Sequence, residues 1–200
     1  GIDWAVAWLG AVWAGGVAVG VNPRIPAAEW RAVLDEARFA LIVAGDADDT
    51  PAAWRHTLLL LDQARRAWAV AEPIAPVPLA EGDPALWVHS SGSSGRPKAV
   101  VHSQRTLARI ARVSSERLGI GPGDRLLASS RLFFTYPLVN VLLAGLSIGA
   151  TVLLDPEWPT AASLARAVAR LRPSVLFSVP TLYRAMVHEG LAEGIGCAGV

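Results

Sequence analysis

Short apolar segments alternate with helix-periodic stretches along this chain, and that alternation constrains the fold more than any other feature. Val17–Val21, Ala40–Ala44, Thr57–Leu61, Arg125–Ser129, Thr151–Leu154 and Val175–Val179 read as strands, with Asp62 stopping the third. Pro26 is placed to open a helix through Ala37, with Trp30, Val33, Leu34 and Ala37 at helical spacing. Leu138–Ile148 reads as an apolar helix. Thr160 caps another that carries Leu164, Val168 and Leu171 on one face, and Pro173 stops it. Arg166, Arg170 and Arg172 load its C-terminal half, where cations oppose the helix dipole. In the second half strand follows helix every 25 residues or so, which predicts βαβ units and a parallel sheet, with residues 125–179 forming a βαβαβ unit. The fold class expected is α/β, with parallel-rich sheets flanked by helices. Pro73, Pro76, Pro78 and Pro84 make residues 71–84 an extended connection. No internal repeat or low-complexity segment interrupts the pattern.

The run Trp4–Val21 carries no charged residue and touches the lower length threshold for a spanning helix, roughly 18 residues. Asp3 at its start, the lack of a basic segment before it and the Gly15-Gly16 interruption argue against insertion. The run divides instead into a helix capped by Asp3, with Trp4, Trp8 and Val12 on one stripe and Ala7, Ala11 and Ala14 beside it, and a buried strand, Val17–Val21, stopped by Asn22-Pro23.

Hydrophobic residues make up 52% of the chain and charged residues 18%, which excludes intrinsic disorder. A net charge of +1 offers no basic face for nucleic acid. The single cysteine, Cys197, excludes an internal disulfide framework and a cysteine-cluster metal site, and suits a reducing cytoplasm. Of 18 basic residues only Lys98 is lysine. In a chain that uses arginine everywhere else, the lone lysine points to a compact charge that guanidinium does not replace, such as a contact to phosphate.

Lys98 lies in the stretch that carries the chemistry, His89-Ser90-Ser91-Gly92-Ser93-Ser94-Gly95-Arg96-Pro97-Lys98-Ala99-Val100-Val101-His102, a phosphate loop over 89–102 that a strand at Ala85–Val88 enters and a second strand, Ala99–Val101, leaves. Glycines let a backbone turn its amides around an anion, serine hydroxyls add donors, and Arg96 and Lys98 supply counter-charge. The Walker A spacing does not fit, because only two residues separate Gly92 from Gly95 and Ala99 follows the lysine. The dinucleotide fingerprint needs a helix directly after the glycines, which Pro97 and Val100-Val101 oppose. On composition alone the run reads equally as a serine–glycine surface loop with incidental charge.

Ser90–Lys98 resembles the phosphate-loop signature of the adenylate-forming superfamily of acyl-CoA synthetases, adenylation domains and luciferases. That signature is roughly T/S-S-G-T/S-T/S-G-x-P-K-G, and this chain departs from it at Ala99, where glycine is usual. Trp13-Ala14-Gly15-Gly16, Val21-Asn22-Pro23, Gly145–Leu154 and Val179–Tyr183 extend the resemblance over nearly the whole chain. Ser91-Gly92-Ser93, Val100-Val101-His102 and Leu132-Phe133-Phe134-Thr135-Tyr136 with Asn140 are most similar to benzoate-CoA ligases and related acyl-CoA synthetases. Thr135 and Pro137 replace the alanine and glycine of that branch, and Gln104 stands where histidine is frequent.

The resemblance implies a partial N-terminal large domain of the adenylate-forming fold. It also implies a two-step reaction. A carboxylate, aromatic by preference, attacks the α-phosphate of Mg-ATP, and CoA then displaces AMP. Ser90, Ser91, Gly92, Ser93, Ser94, Gly95, Arg96 and Lys98 would hold the phosphates, with Lys98 catalytic and Ser93 or Ser94 on Mg²⁺. Phe134, Thr135, Tyr136 and Pro137 would border the acid pocket and pantetheine tunnel; packing in the core is the competing role for Phe134 and Tyr136. His102, after two buried-type valines, reads as a core or loop histidine. The partners implied are ATP, CoA and a small carboxylic acid, in a cytoplasmic protein without a membrane span, and a homodimer is compatible. The family's adenine loop, ribose acid and mobile C-terminal domain with its lysine have no counterpart in these 200 residues. The chain is therefore expected to be a fragment with little ligase activity alone. Two alternatives stand beside that reading: a truncated nucleotide-binding or interaction chain, and an aryl-acid adenylation domain that loads a carrier protein.

Overall fold

The computed structural model describes residues 1–46, 50, 52–90 and 98–193, with side chains omitted at Ala52, Ala53 and Ser90. Two compact units divide the chain: Gly1–Ala5, Ala80–Asp83 and Ser103–Val200 form one, Val6–Leu79 and Pro84–His102 the other. The fold is α/β, with helices flanking parallel-rich sheets.

The unit built on Ser103–Val200 centres on a parallel sheet of β6 (Arg125–Ala128), β7 (Thr151–Leu153) and β8 (Val175–Phe177) in the order β7-β6-β8. Successive side chains on a strand face opposite ways, and β6 shows it. Leu126 packs with Ile120, Val141, Ala150 and Phe177, whereas Leu127 packs with Leu153, Leu164, Val168 and Met186. The first face is covered by α4 (Gln104–Leu118), a π-helical segment (Leu138–Leu143) and α6 (Ala144–Ile148); α7 (Ala161–Leu171) and α8 (Pro180–His188) cover the second. Three layers result, because the β6-to-β7 connection runs over one face of the sheet and α7, between β7 and β8, over the other.

Local chemistry explains the boundaries. Thr160 and Ser163 cap α7 reciprocally: the Ser163 amide donates to the Thr160 hydroxyl at 3.0 Å and the Thr160 amide to the Ser163 hydroxyl at 2.8 Å. Ser103 caps α4 by accepting from the Thr106 amide. The helix expected at Leu138–Ile148 begins earlier, with α5 (Thr135–Pro137), and its first half is π rather than α. At Gly145 a Cβ would lie 2.7 Å from Val152 Cγ2, so only glycine lets α6 settle on β7.

In the other unit, β1 (Ala18–Val19), β4 (Pro84–Ser90) and β5 (Lys98–Ser103) form one sheet with β4 central, and β1 runs parallel to β4. β2 (Ile42–Ala44) and β3 (Leu58–Leu60) form a parallel pair. α1 (Ile2–Trp13) carries Asp3 within its first turn rather than as its cap. Gly15, at φ +80°, turns the chain after it, and the Trp13 indole donates to the Ile74 carbonyl at 2.9 Å, tying the proline-rich connection down. Pro26 precedes α2 (Ala27–Ala37), which buries Val33 and Leu34. The strand expected over Val17–Val21 shrinks to β1, with Val17 exposed. Asp62 does not simply end a strand: it lies in the first turn of α3 (Leu61–Val70), where a carboxylate complements the helix dipole. A 3-10 helix, Ala52–Thr57, precedes β3. Among the described residues no helix is long and apolar enough to cross a membrane.

Candidate functional site

The serine–glycine run is entered from β4 and left through β5. β4 buries Ala85 and Leu86, and its register with β1, Ala18 opposite Leu86 and Val19 opposite Trp87, fixes where the strand ends. Ser90 is its last residue and Lys98 the first of the adjacent strand β5, so the two ends of the run sit on neighbouring strands. Ser91, Gly92, Ser93, Ser94, Gly95, Arg96 and Pro97 lie outside the described residues, as does Cys197. Lys98 is exposed. Val100 and Val101 are not the buried pair expected: they are 45% and 52% exposed, and His102 beside them is half-buried. His89, one residue before the end of β4, buries its Nε2 with no hydrogen-bond partner among the described residues. Burial lowers its pKa below the usual imidazole value, and the Glu36 carboxylate opposes part of that shift.

The aromatic residues lie in the other unit, at the carboxyl end of the β7-β6-β8 sheet. The chain leaves β6 through Ser129-Ser130, turns at Arg131 with the Phe134 amide on the Arg131 carbonyl at 3.0 Å, and enters α5. Phe133 and Phe134 rings pack tilted at 4.6 Å, and the Tyr136 ring meets Phe177 edge-on at 5.8 Å. Phe134 is 50% and Tyr136 46% exposed, which is more than core packing leaves. Thr135 is half-buried between them, whereas Pro137 is fully buried and belongs to the core. Just beyond, Asn140 accepts a short hydrogen bond from Ser114 of α4, within the π segment, a geometry common near functional sites.

Sequence reasoning gave no site role to the residues that line a cleft of about 270 Å³ at this same end: Ser129, Ser130, Pro159, Val179, Thr181 and Leu182. They follow the carboxyl ends of β6, β7 and β8. Connections leave β6 and β8 toward opposite faces of the sheet, and a crevice at such a switch point is where open α/β sheets bind ligands. The signal was present in Ser129-Ser130 and in Val179-Pro180-Thr181, each of which spans the end of a predicted strand. Ser129 and Ser178 hydroxyls bond each other at 2.8 Å, and the Tyr183 hydroxyl donates to the Leu176 carbonyl at 3.1 Å. Burial, and then the neighbouring Tyr136 hydroxyl, raises the Tyr183 pKa. The cleft therefore offers neutral hydroxyls and apolar walls, which suit a planar apolar group that bears one polar end.

The chain is 33% identical over 208 residues to a 3-hydroxybenzoate/4-hydroxybenzoate–CoA ligase of Thauera aromatica, covering 94% of this chain and 39% of that protein. It is 31% identical to a 4-hydroxybenzoate/benzoate–CoA ligase of Rhodopseudomonas palustris, covering 94% of this chain and 38% of the relative. A crystal structure of a benzoate CoA ligase from Burkholderia xenovorans LB400 superposes with a TM-score of 0.81 at 30% identity, over 91% of this chain and 38% of that one. The chain thus spans about two fifths of the length of the relatives it matches. The profile described as AMP-binding enzyme matches residues 1–195, practically end to end, and the chain belongs to that family.

Proposed function

We propose that the protein carrying this chain is an ATP-dependent, AMP-forming acid–CoA ligase that acts on an aromatic carboxylate of the benzoate class. The observation that carries the reading is the likeness to hydroxybenzoate– and benzoate–CoA ligases over more than nine tenths of the chain. The half-exposed Phe134 and Tyr136 at a sheet's carboxyl end support it, because a stacking surface suits an aryl acid.

In the first step a carboxylate oxygen attacks the α-phosphorus of ATP. The bond to the bridging oxygen breaks and pyrophosphate leaves. Charge develops on the β- and γ-phosphates, and Ser90–Lys98 would stabilise it through amides, hydroxyls and the Lys98 ammonium. In the second step the CoA sulfur attacks the acyl carbon, its proton is lost, and AMP departs with both electrons of the acyl–oxygen bond. Phe134, Thr135 and Tyr136 would form the wall against which the aryl ring lies, with buried Pro137 supporting it from the core. Mg²⁺, when bound, supplies further neutralisation of the phosphates. Ser93 or Ser94 would help to hold it, since hydroxyl oxygens suit a hard cation. ATP and CoA as substrates place the reaction in the cytoplasm.

The test is to express the complete coding sequence and follow pyrophosphate release with benzoate, the hydroxybenzoates and acetate. Release that depends on an aryl acid, with acyl-CoA formed from free CoA, is the expected result; the 200-residue chain alone should give little of either. Transfer only to a carrier-protein phosphopantetheine would make it an adenylation domain instead. No acid-dependent release from the complete protein would leave a binding or interaction chain.

A further inference from the structure

We infer that Arg131 is a positioning residue that sets the width of the cleft at the carboxyl end of the β7-β6-β8 sheet, and with it the fit of the acid; this rests on the proposed ligase reading. Its guanidinium donates to two successive carbonyls, Asp155 at 2.9 Å and Pro156 at 2.8 Å, and its central carbon stands 4.7 Å from the Trp158 ring centroid. One side chain therefore ties the exit of β6 to the segment that follows β7.

Those two segments are the rims of the cleft. Ser129 and Ser130 immediately precede Arg131, and Pro159 immediately follows Trp158. The far rim is already fixed from behind by α7. Arg170 pairs with Asp155 at 3.0 Å, Arg166 with Glu157 at 2.7 Å, and the Ser163 hydroxyl donates to the Trp158 carbonyl at 3.0 Å. With that rim held, Arg131 determines how closely the near rim approaches it. The same residue accepts from the Phe134 amide through its carbonyl, so the turn that presents Phe134 and Tyr136 starts from the anchored point. Lysine cannot reproduce the arrangement: a planar fork reaches two carbonyls and stacks on an indole at once, while an ammonium on a flexible stem does not.

The experiment compares Arg131→Lys and Arg131→Ala with the wild type in the complete protein, by kinetics and by backbone hydrogen exchange. Both variants should lower kcat/KM for the aryl acid on the order of tenfold to a hundredfold, the loss typical of a misplaced substrate. KM for ATP should stay within about twofold, because the phosphate run lies in the other unit. Exchange should quicken together over residues 129–137 and 155–159. An unchanged KM and kcat for the acid in Arg131→Ala overturns the inference, as does unchanged exchange at 155–159. A wild type without aryl-acid-dependent activity sinks the ligase reading separately, and the exchange data then still decide whether Arg131 joins the two rims.

Discussion

The two ends of the β7-β6-β8 sheet are made of the same three strands and treat their polar groups in opposite ways. At the amino end Asp124, Arg125 and Ser174 are paired with one another and with their neighbours. The Asp124 carboxylate accepts from the Gly121 amide and the Ser174 hydroxyl, both at 2.7 Å, and Ser174 accepts from the Arg125 amide at 2.9 Å. The Arg125 guanidinium then satisfies the last carbonyls of α7, Leu171 and Arg172. At the carboxyl end, hydroxyls, half-exposed aromatics and a cleft face outward. The amino end closes the sheet, and the carboxyl end is left able to bind something.

The sharpest way to break this contrast is to remove mass from the middle and from the open end and compare the costs. Leu126 is fully buried on β6, and Leu126→Ala should destabilise the protein by about 2–5 kcal/mol through lost burial and a residual cavity. Phe134→Ala should cost about 1 kcal/mol or less, because half of that ring is already in water and its ring contact is with Phe133. Urea melts of the two variants decide it. Equal losses would mean that Phe134 is core packing and that the open end is closed after all.

A smaller effect is expected at Thr160, whose cap starts α7 just after the Trp158-Pro159 rim. Thr160→Ala should cost about 1 kcal/mol, and Thr160→Ser should restore most of it, since a hydroxyl at the cap is what the Ser163 amide needs. A Thr160→Ser variant as unstable as the alanine would assign the loss to the threonine methyl instead of the cap.

Thr160 was legible because capping residues and the stripe Leu164, Val168, Leu171 agree with each other, and Pro173 closes the pattern. The strands were legible for the same reason of local consistency. α3 was not legible: Leu58–Leu61 is one apolar run, and nothing polar marks the change from strand to helix within it. The Gln63 side chain that accepts from the Leu60 amide settles that change only after folding. α4 was passed over because its buried positions include the small residues Ala111 and Ser115 among arginines, although Ser103 and Gly119 mark its ends. The cleft escaped because it depends on which strands are neighbours, and the order β7-β6-β8 is a tertiary fact.

The finest test of the contrast uses pH, since the two ends carry ionisable groups shifted in ways that separate them. The Gly121 amide, and then the Ser174 hydroxyl, hold the Asp124 carboxyl below its ordinary range. As pH falls below about 3.9 the unfolded chain takes up a proton that the folded chain still refuses. Stability from Asp124 is therefore complete above that value and is lost as pH falls through the lowered one. Tyr183, near the carboxyl end, is shifted up, so above about 10 the unfolded chain gives up a proton that the folded chain keeps. Its contribution is complete below that value and is lost as pH rises through the raised one. Asp124→Asn should flatten the acid limb of a plot of urea midpoint against pH and leave the alkaline limb alone. Tyr183→Phe should do the reverse. If either substitution moved both limbs, the two ends would be one electrostatic unit, and the division between a closing end and a binding end would have to be given up.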